Sequence, residues 1–299
     1  MYDVYLYDAI RTPFGKFGGS LAGVRPDDLA TLVVSTLVER SPDLDPGRID
    51  EIVMGTANGS GEDNRNVARM AGLLAGLPVS IPASTVNRLC GSSLDATITG
   101  ARQIALGDSD LVLVGGVESM SRAPWVVPKP ARGYPAHNVE MVSTALGWRM
   151  VNPMMPAAWT VSLGEATELL ADREQISRED QDEFAAASHE RAAEAWDAGF
   201  YDDHVVRVPT IELDRDESIR PETTFERLSE LRPVFRTRGT VTAGNASPLN
   251  DGASSAVLGS EPASATLGRP PLARVAGWGA AANEPQYFGP VAAAAPTRR

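Results

Sequence analysis

Short apolar stretches alternate with amphipathic helical patterns through the first 120 residues, and this alternation restricts the possible folds more than any other sequence feature. Strand patterns cover residues 4–6, 52–55 and 111–114, and helical patterns start at Pro26 and cover residues 67–74 and about 92–106. Strands that alternate with helices predict an α/β domain with a mostly parallel sheet.

The pattern changes between about Ser121 and Val241, where proline, tryptophan, methionine and glycine replace the regular periodicity. Long irregular segments inside a compact protein are usually functional loops. One helix is predicted within this segment, because Ser177 and Asp180 have the spacing of an N-terminal capping pair and Gly199 follows the last turn. Strand patterns resume at residues 254–258 and 272–275, and residues 289–299 show no packing pattern.

Charge and hydropathy exclude several classes of function. The formal net charge is −12, and so acidic a chain repels phosphate backbones, so we expect no nucleic-acid partner. No apolar run reaches the roughly 20 residues of a membrane-spanning helix, and the N-terminus lacks a secretory signal pattern, so we expect no membrane association. The single cysteine, Cys90, excludes an intramolecular disulfide and favours the reducing cytoplasm.

Motifs for bound cofactors are missing from the sequence. It contains neither a G-x-G-x-x-G after a strand, nor a Walker-type loop, nor H-E-x-x-H. The three histidines, His137, His189 and His204, are too scattered for a metal site, and His189 shares a predicted helix face with alanines, which favours a packing role. We therefore expect neither a cofactor nor a metal.

Cys90 stands between a strand pattern and a helix pattern, so its thiol is predicted to lie at a helix N-terminus. The unpaired N–H groups and the dipole at such a terminus favour an anion, here the thiolate. Gly91 would let the backbone approach a carbonyl group closely, and the adjacent N–H groups could donate to a developing oxyanion. These features fit a nucleophile that attacks a carbonyl carbon. The alternative is a small buried core residue.

The segment around Cys90, residues 83–96, resembles the acyl-enzyme cysteine motif of the thiolases. Four further stretches resemble the same family in the same order: residues 8–19, 55–78, 115–121 and 240–253. The resemblance covers residues 1 to about 290. It implies a fold of two similar α/β halves, with Cys90 as the nucleophile that accepts an acyl group from acyl-CoA as a thioester.

The resemblance also implies a binding site for coenzyme A, which is a substrate in this family and not a cofactor. Ser247 matches the residue that hydrogen-bonds the pantetheine arm, and Ala243 lines the same tunnel. Arg220 matches a basic residue at the nucleotide end of CoA, and Phe235 matches an apolar wall. For Arg220 the alternative is a solvated arginine in a charged stretch.

The resemblance further implies a domain organisation. Residues 1–120 and 242–268 would form the N-terminal α/β domain, residues 121–241 the loop domain that binds CoA, and residues 269–299 the beginning of a C-terminal domain. The family's later Asn-Glu-Ala-Phe, Gly-His-Pro and Cys-x-Gly-Gly segments, which carry an activating histidine and a second cysteine, do not occur in this sequence. The resemblance thus implies a C-terminally truncated thiolase with impaired activity. Ser93 and Pro248 replace usual glycines.

The predicted function is acyl transfer between CoA thioesters, by thiolysis or Claisen condensation of a 3-ketoacyl-CoA. Residues 61–70 and 147–153 look most like the 3-oxoadipyl-CoA thiolases, whose substrate carries a distal carboxylate. The family also implies a homo-oligomer, a dimer or a tetramer. One alternative is a non-catalytic acyl-CoA-binding or partner subunit, and another is a cysteine hydrolase that uses Cys90 with His137 or His204.

Overall fold

The computed structural model describes residues 1–295. Two compact units divide the chain. Unit 1 comprises Met1–Pro124, Tyr201–Ser218 and Leu249–Ala276, and unit 2 comprises Trp125–Phe200, Ile219–Pro248 and the chain from Gly277 onward. These units are defined by compactness, whereas the domain boundaries given above come from the family resemblance. Those boundaries stay a prediction.

The strands are, in chain order, β1 (Tyr5–Arg11), β2 (Gly15–Lys16), β3 (Glu51–Gly55), β4 (Ala83–Val86), β5 (Leu111–Ser119), β6 (Trp125–Val126), β7 (Val142–Ser143), β8 (Asn250–Gly259) and β9 (Ala273–Arg274). The helices are α1 (Pro26–Glu39), α2 (Val67–Leu74), α3 (Ser92–Leu106), α4 (Leu163–Glu174), α5 (Arg178–Asp197), α6 (Phe225–Ser229), α7 (Ala263–Leu267) and α8 (Val291–Ala294). The helices predicted over residues 67–74 and 92–106 are confirmed as α2 and α3.

The sheet of unit 1 has the strand order β4-β3-β5-β8-β1-β9, and β2 pairs with one end of β8. β3 pairs in parallel with β4 and β5, whereas β8 pairs antiparallel with β5 and β1. The prediction of a mostly parallel sheet is therefore wrong. The strands of the βα alternation, β1, β3, β4 and β5, do run in one direction. β8 follows a long excursion that returns the chain to the end of the sheet at which β5 leaves it, so β8 runs antiparallel to β5.

Helix α1 shows why the predicted elements form. Pro26 occupies its first position, where the missing N–H has no intrahelical partner, and Asp27 places negative charge in the first turn. Leu29, Val33 and Leu37 follow at helical spacing and are completely buried. They join the core cluster on one face of the sheet, so this stripe holds α1 against the strands.

Strand β5 is buried on both of its faces, as expected for a central strand. Leu111 and Leu113 belong to the core cluster with α1 and α2. Val112 and Val114 point the other way and meet α3 at Gly100. Unit 1 is therefore layered, with α1 and α2 on one face of the sheet and α3 on the other.

Unit 2 contains the helices of the irregular segment and the two-stranded pairing of β6 with β7. The predicted cap of α5 is confirmed, because Ser177 and Asp180 form a reciprocal capping box. Gly199, in the left-handed conformation, follows the end of this helix. Residues 291–294, predicted to lack a packing pattern, form the short α8, and residues 296–299 lie outside the described part. Within residues 1–295 no helix combines the length and apolar character needed to cross a membrane.

Candidate active site

Cys90 lies in the connection between β4 and α3, directly before Gly91, the N-terminal cap residue of α3. The predicted position at a strand-to-helix junction is therefore confirmed. The cysteine is exposed, so the alternative of a buried core residue is wrong. An exposed thiol at a helix N-terminus is available to a substrate.

The turn that carries Cys90 is tightly hydrogen-bonded. Leu89, directly before the cysteine, adopts the left-handed conformation with φ of 49°, which costs a non-glycine residue about 1–2 kcal/mol. The Ser92 hydroxyl accepts from the Arg88 N–H at 2.9 Å. The N–H groups of Gly91 and Ser92 donate to the carbonyls of Arg88 and Leu89 at 3.1 and 3.0 Å. These two groups therefore already serve the turn, and the expectation that N–H groups beside Cys90 donate to an oxyanion stays a prediction.

Two glycines bring the first turn of α3 close to the sheet. A Cβ added at Gly55, the last residue of β3, would overlap the backbone of Ser92 and Ser93. A Cβ added at Gly116 in β5 would lie 2.7 Å from the Ser93 Cβ. Cys90 is thus held at the carboxyl ends of the parallel strands, the edge where α/β sheets bind ligands. Both glycines lie in stretches singled out above, but their role in spacing α3 from the sheet was not predicted.

The charged groups nearest in sequence to Cys90 are Arg88 and Asp95. The Arg88 Nε lies 2.9 Å from the Asp95 Oδ1, so the pair ties the residue two before the cysteine to the first turns of α3. The Arg88 side chain is 57% exposed. A guanidinium is therefore fixed beside the turn, although solvent screens its pairing energy.

The four residues predicted to contact CoA all lie in unit 2. Arg220, Ala243 and Ser247 are exposed, and Phe235 is 43% exposed while its ring lies on Gly164 of α4. Arg220 is held through its backbone, whose N–H donates to the His189 Nδ1 at 3.2 Å.

Buried polar side chains that sequence reasoning did not single out build the loop around Ala243. Glu168 of α4 is 2% exposed and accepts from the N–H groups of Thr240 and Val241 at 2.9 Å. Asn245 Oδ1 accepts from the Thr242 N–H at 2.8 Å. Its Nδ2 donates to Asp182 of α5 at 2.9 Å. The sequence does hold a signal for Glu168, because it is a carboxylate among the buried positions of a helix. A buried carboxylate must find hydrogen-bond donors.

Acidification is expected to destabilise unit 2 through His189. Its Nδ1 accepts a hydrogen bond, so this nitrogen carries no proton. Burial lowers the pKa of His189 below its ordinary value of 6.5, and the positive charge of Arg220 lowers it further. The folded state then binds fewer protons than the unfolded state. The resulting stability is fully present above pH 6.5 and is lost as the pH falls through 6.5 towards the folded pKa.

Tryptophan fluorescence measures this effect selectively, because all five tryptophans lie in unit 2. Urea unfolding followed between about pH 7.5 and 5.5 should show a declining midpoint in the wild type and a flatter profile in His189→Gln. His137→Gln is the matched control, since that histidine is exposed in the same unit. Parallel profiles for wild type and His189→Gln would contradict the assignment.

A cleft of about 560 Å³ lies in unit 1 and is lined by both signs of charge. Arg25 pairs with Asp27 at 2.8 Å, and Arg122 pairs with Glu62. Residues 61–70, which carry part of the resemblance to 3-oxoadipyl-CoA thiolases, contribute Gly61, Glu62, Asn64 and Met70 to the lining. Cys90 is not part of this lining, so the cleft is a separate feature of unit 1.

Two arrangements are absent from the part of the chain that the structure describes: a metal-ligand cluster and a histidine paired with Cys90. Within residues 1–295, no three histidine, cysteine or acidic side chains are grouped so that they could hold a metal ion. In the same part of the chain, no histidine is hydrogen-bonded to Cys90. His204 instead accepts from the Arg11 N–H at 2.9 Å through its backbone carbonyl. The cysteine-hydrolase alternative therefore lacks the contact that it requires.

The sequence profile of the family described as "Thiolase, N-terminal domain" matches residues 4–262. A beta-ketoadipyl-CoA thiolase of Pseudomonas putida is 49% identical over 297 residues, which are 97% of this chain and 74% of that protein. A 3-oxoadipyl-CoA/3-oxo-5,6-dehydrosuberyl-CoA thiolase of Escherichia coli (strain K12) is 47% identical with the same coverage.

Solved structures match the fold over nearly the whole chain. Human mitochondrial 3-ketoacyl-CoA thiolase in complex with CoA has a TM-score of 0.89 at 33% identity, covering 98% of this chain and 75% of that one. The acetyl-CoA acetyltransferase of Bacillus anthracis has a TM-score of 0.88 at 35% identity, with coverages of 100% and 76%. The predicted α/β fold is confirmed. These relatives are named as acyl-transferring enzymes, which fits the predicted acyltransferase and not the non-catalytic alternative.

Proposed function

Because the chain belongs to the thiolase family of acyl-CoA acyltransferases, we propose that Cys90 is the residue that accepts the acyl group. The observation that carries the proposal is the exposed thiol on a hydrogen-bonded turn at the carboxyl ends of β3 and β5. Cys90 is also the only cysteine of the chain, so no other residue can form the thioester.

The acyl-acceptor half-reaction is a thioester exchange. The Cys90 Sγ forms a bond with the carbonyl carbon of an acyl-CoA, and the bond between that carbon and the CoA sulfur breaks. The CoA thiolate leaves and takes up the proton released from Cys90. No C–H bond is broken in this step, so it needs no second acid or base at the substrate α-carbon. With Cys90 acting as acyl acceptor, this chain has no further cysteine to assign to α-proton transfer.

CoA is proposed to bind unit 2 through the residues that resemble the family's CoA contacts. Ser247 and Ala243 would meet the pantetheine arm, Phe235 would provide an apolar surface, and Arg220 would face the phosphates. The support is that all four lie in one unit and that buried Glu168 and Asp182 hold the loop of Ala243 in place. A loop ordered before binding loses less entropy when the ligand arrives.

The acyl group is proposed to carry a distal carboxylate, as in 3-oxoadipyl-CoA. Two relatives at 47–49% identity are named for this substrate. Residues 61–70 and 147–153 carry the same resemblance in the sequence. Competition between succinyl-CoA and butyryl-CoA for acylation of the chain tests this proposal. A preference for the uncharged acyl group would count against it.

Acetylation of Cys90 by acetyl-CoA tests the proposed nucleophile directly. After an acid quench, peptide mass spectrometry should place one acetyl group on the peptide that contains Cys90, and hydroxylamine should remove it. Cys90→Ser should lose this thioester and retain CoA binding, measured by calorimetry. A folded, CoA-binding wild type that forms no adduct would overturn the proposal.

A further inference from the structure

The carboxyl ends of three neighbouring strands are joined by a row of hydrogen bonds outside the backbone ladder. The Oε2 of Glu118 in β5 accepts from the N–H of Ala57, which follows β3, at 2.7 Å. The Nδ2 of Asn87, which follows β4, donates to the carbonyl oxygen of Ala57 at 2.9 Å. Since β3 lies between β5 and β4, the two side chains hold Ala57 from both sides.

The Asn87 side chain continues this row into the turn that carries Cys90. Its Oδ1 accepts from the Leu89 N–H at 2.9 Å, and Leu89 is the left-handed residue directly before the nucleophile. The amide side chain satisfies both partners, because its NH2 group donates to a carbonyl and its oxygen accepts from an N–H. An unfavourable backbone conformation persists where surrounding contacts fix it, and active sites are where such residues cluster.

We propose that Asn87 and Glu118 are positioning residues for Cys90, acting through Ala57 and Leu89 to fix the turn that aims its thiol. This inference rests on the proposed role of Cys90 as acyl acceptor. Asn87 acts on the turn itself. Glu118 acts one step further away by fixing the residue to which Asn87 is anchored, so its substitution should affect Cys90 through the same path.

The surroundings of Glu118 suit a fixed anchor. Its carboxyl accepts from the Ala57 N–H, lies beside Thr56 and Asn58, and is half-buried. Burial and the nearby Asp63 raise the pKa of Glu118. A hydrogen-bonded carboxyl that is partly shielded from water has little freedom to move. Glutamine keeps the shape and the oxygen acceptor at this position, and it removes the charge.

The test compares two reactions of the same thiol in the full chain. Acetyl transfer from acetyl-CoA depends on how the thiol is aimed, whereas alkylation by iodoacetamide depends mainly on exposure and thiolate fraction. We expect Asn87→Ala to slow acetylation about 100-fold, as a misplacement of about 1 Å does, with alkylation changed less than about threefold. Glu118→Ala should act in the same direction, and Glu118→Gln should restore most of the rate.

Two further variants sharpen the comparison. Asn87→Asp keeps the acceptor for Leu89 but loses the donor to Ala57, so it should lose acetylation as Asn87→Ala does. If it acetylates normally, the link to Ala57 and the role of Glu118 are overturned. Asn283→Ala is the matched control, because Asn283 of unit 2 also donates to a carbonyl and accepts from an N–H. It should leave both reactions unchanged.

Hydrogen exchange of the Leu89 amide separates this inference from the proposed function. Asn87→Ala and Glu118→Ala should speed this exchange at least about tenfold, whereas Glu118→Gln should not. A wild type that is not acetylated would refute the proposed function, and the exchange result would still decide whether Asn87 holds the turn. Unchanged exchange, or equal losses of acetylation and alkylation, would overturn the inference.

Discussion

Gly55→Ala is expected to destabilise the protein by about 3 kcal/mol, at the upper end of the range for overpacked cores. The added methyl group would overlap the backbone carbonyl of Ser92 and the amide nitrogen of Ser93. A side chain in that place could rotate away, but backbone in the first turn of α3 can move only with the helix. The same displacement would carry Cys90 with it, so acetylation by acetyl-CoA should fall about 100-fold.

Chemical unfolding followed by circular dichroism measures the stability, and the acetylation assay measures the site. Gly23→Ala is the matched control, because a Cβ at Gly23 meets no atom within 4 Å. It should change stability by less than about 0.5 kcal/mol. A Gly55→Ala variant as stable and as reactive as Gly23→Ala would show that α3 does not depend on close approach to β3.

Glu168→Ala is expected to cost unit 2 about 3 kcal/mol, since it removes the acceptor of three donors that are buried or half-buried. The carboxylate accepts from the N–H and hydroxyl of Thr240 and from the N–H of Val241. Alanine leaves the buried Val241 N–H and the half-buried Thr240 groups without their partner, which costs more than a surface hydrogen bond. The loop that carries Ala243 and Ser247 would lose its anchor, so CoA affinity should fall together with stability.

Tryptophan fluorescence during urea unfolding reports this change, since the tryptophans lie in unit 2. Glu174→Ala is the control on the same helix, because Glu174 is half exposed and pairs with its neighbour Arg173. It should change stability by less than about 0.5 kcal/mol. Glu168→Gln should also destabilise, because its NH2 group faces N–H donors. Equal midpoints for Glu168→Ala and Glu174→Ala would refute the role of the carboxylate.

The sequence predicts the elements of unit 1 better than their arrangement. Apolar periodicity reflects which faces are buried, so β5, α2 and α3 occur where the pattern places them. Apolar periodicity does not predict the direction of β8, because an alternating strand has the same buried face whichever way it runs. Its reversal is decided by where a connection of more than one hundred residues returns the chain to the sheet.

At the site, the sequence predicts the type of residue and misses the contacts that hold it. Cys90 is found from its junction and its resemblance to a known motif. The sequence does not predict the left-handed conformation of Leu89, since leucine is not a residue that favours it. The anchors Asn87, Glu118 and Glu168 depend on which backbone groups come near them in space. No local pattern encodes that proximity.

The place of β8 between β5 and β1 has a consequence for how the chain folds during synthesis. β5 ends at Ser119, but β8, its neighbour in the sheet, begins only at Asn250. A ribosome must therefore add about 130 residues before the sheet can close, and long-range pairing of this kind folds slowly. Until then, β1 and β5 each present an unpaired edge that can join another nascent chain. Chaperone demand should consequently stay high while residues 120–249 are added, and it should fall once residue 259 has left the exit tunnel.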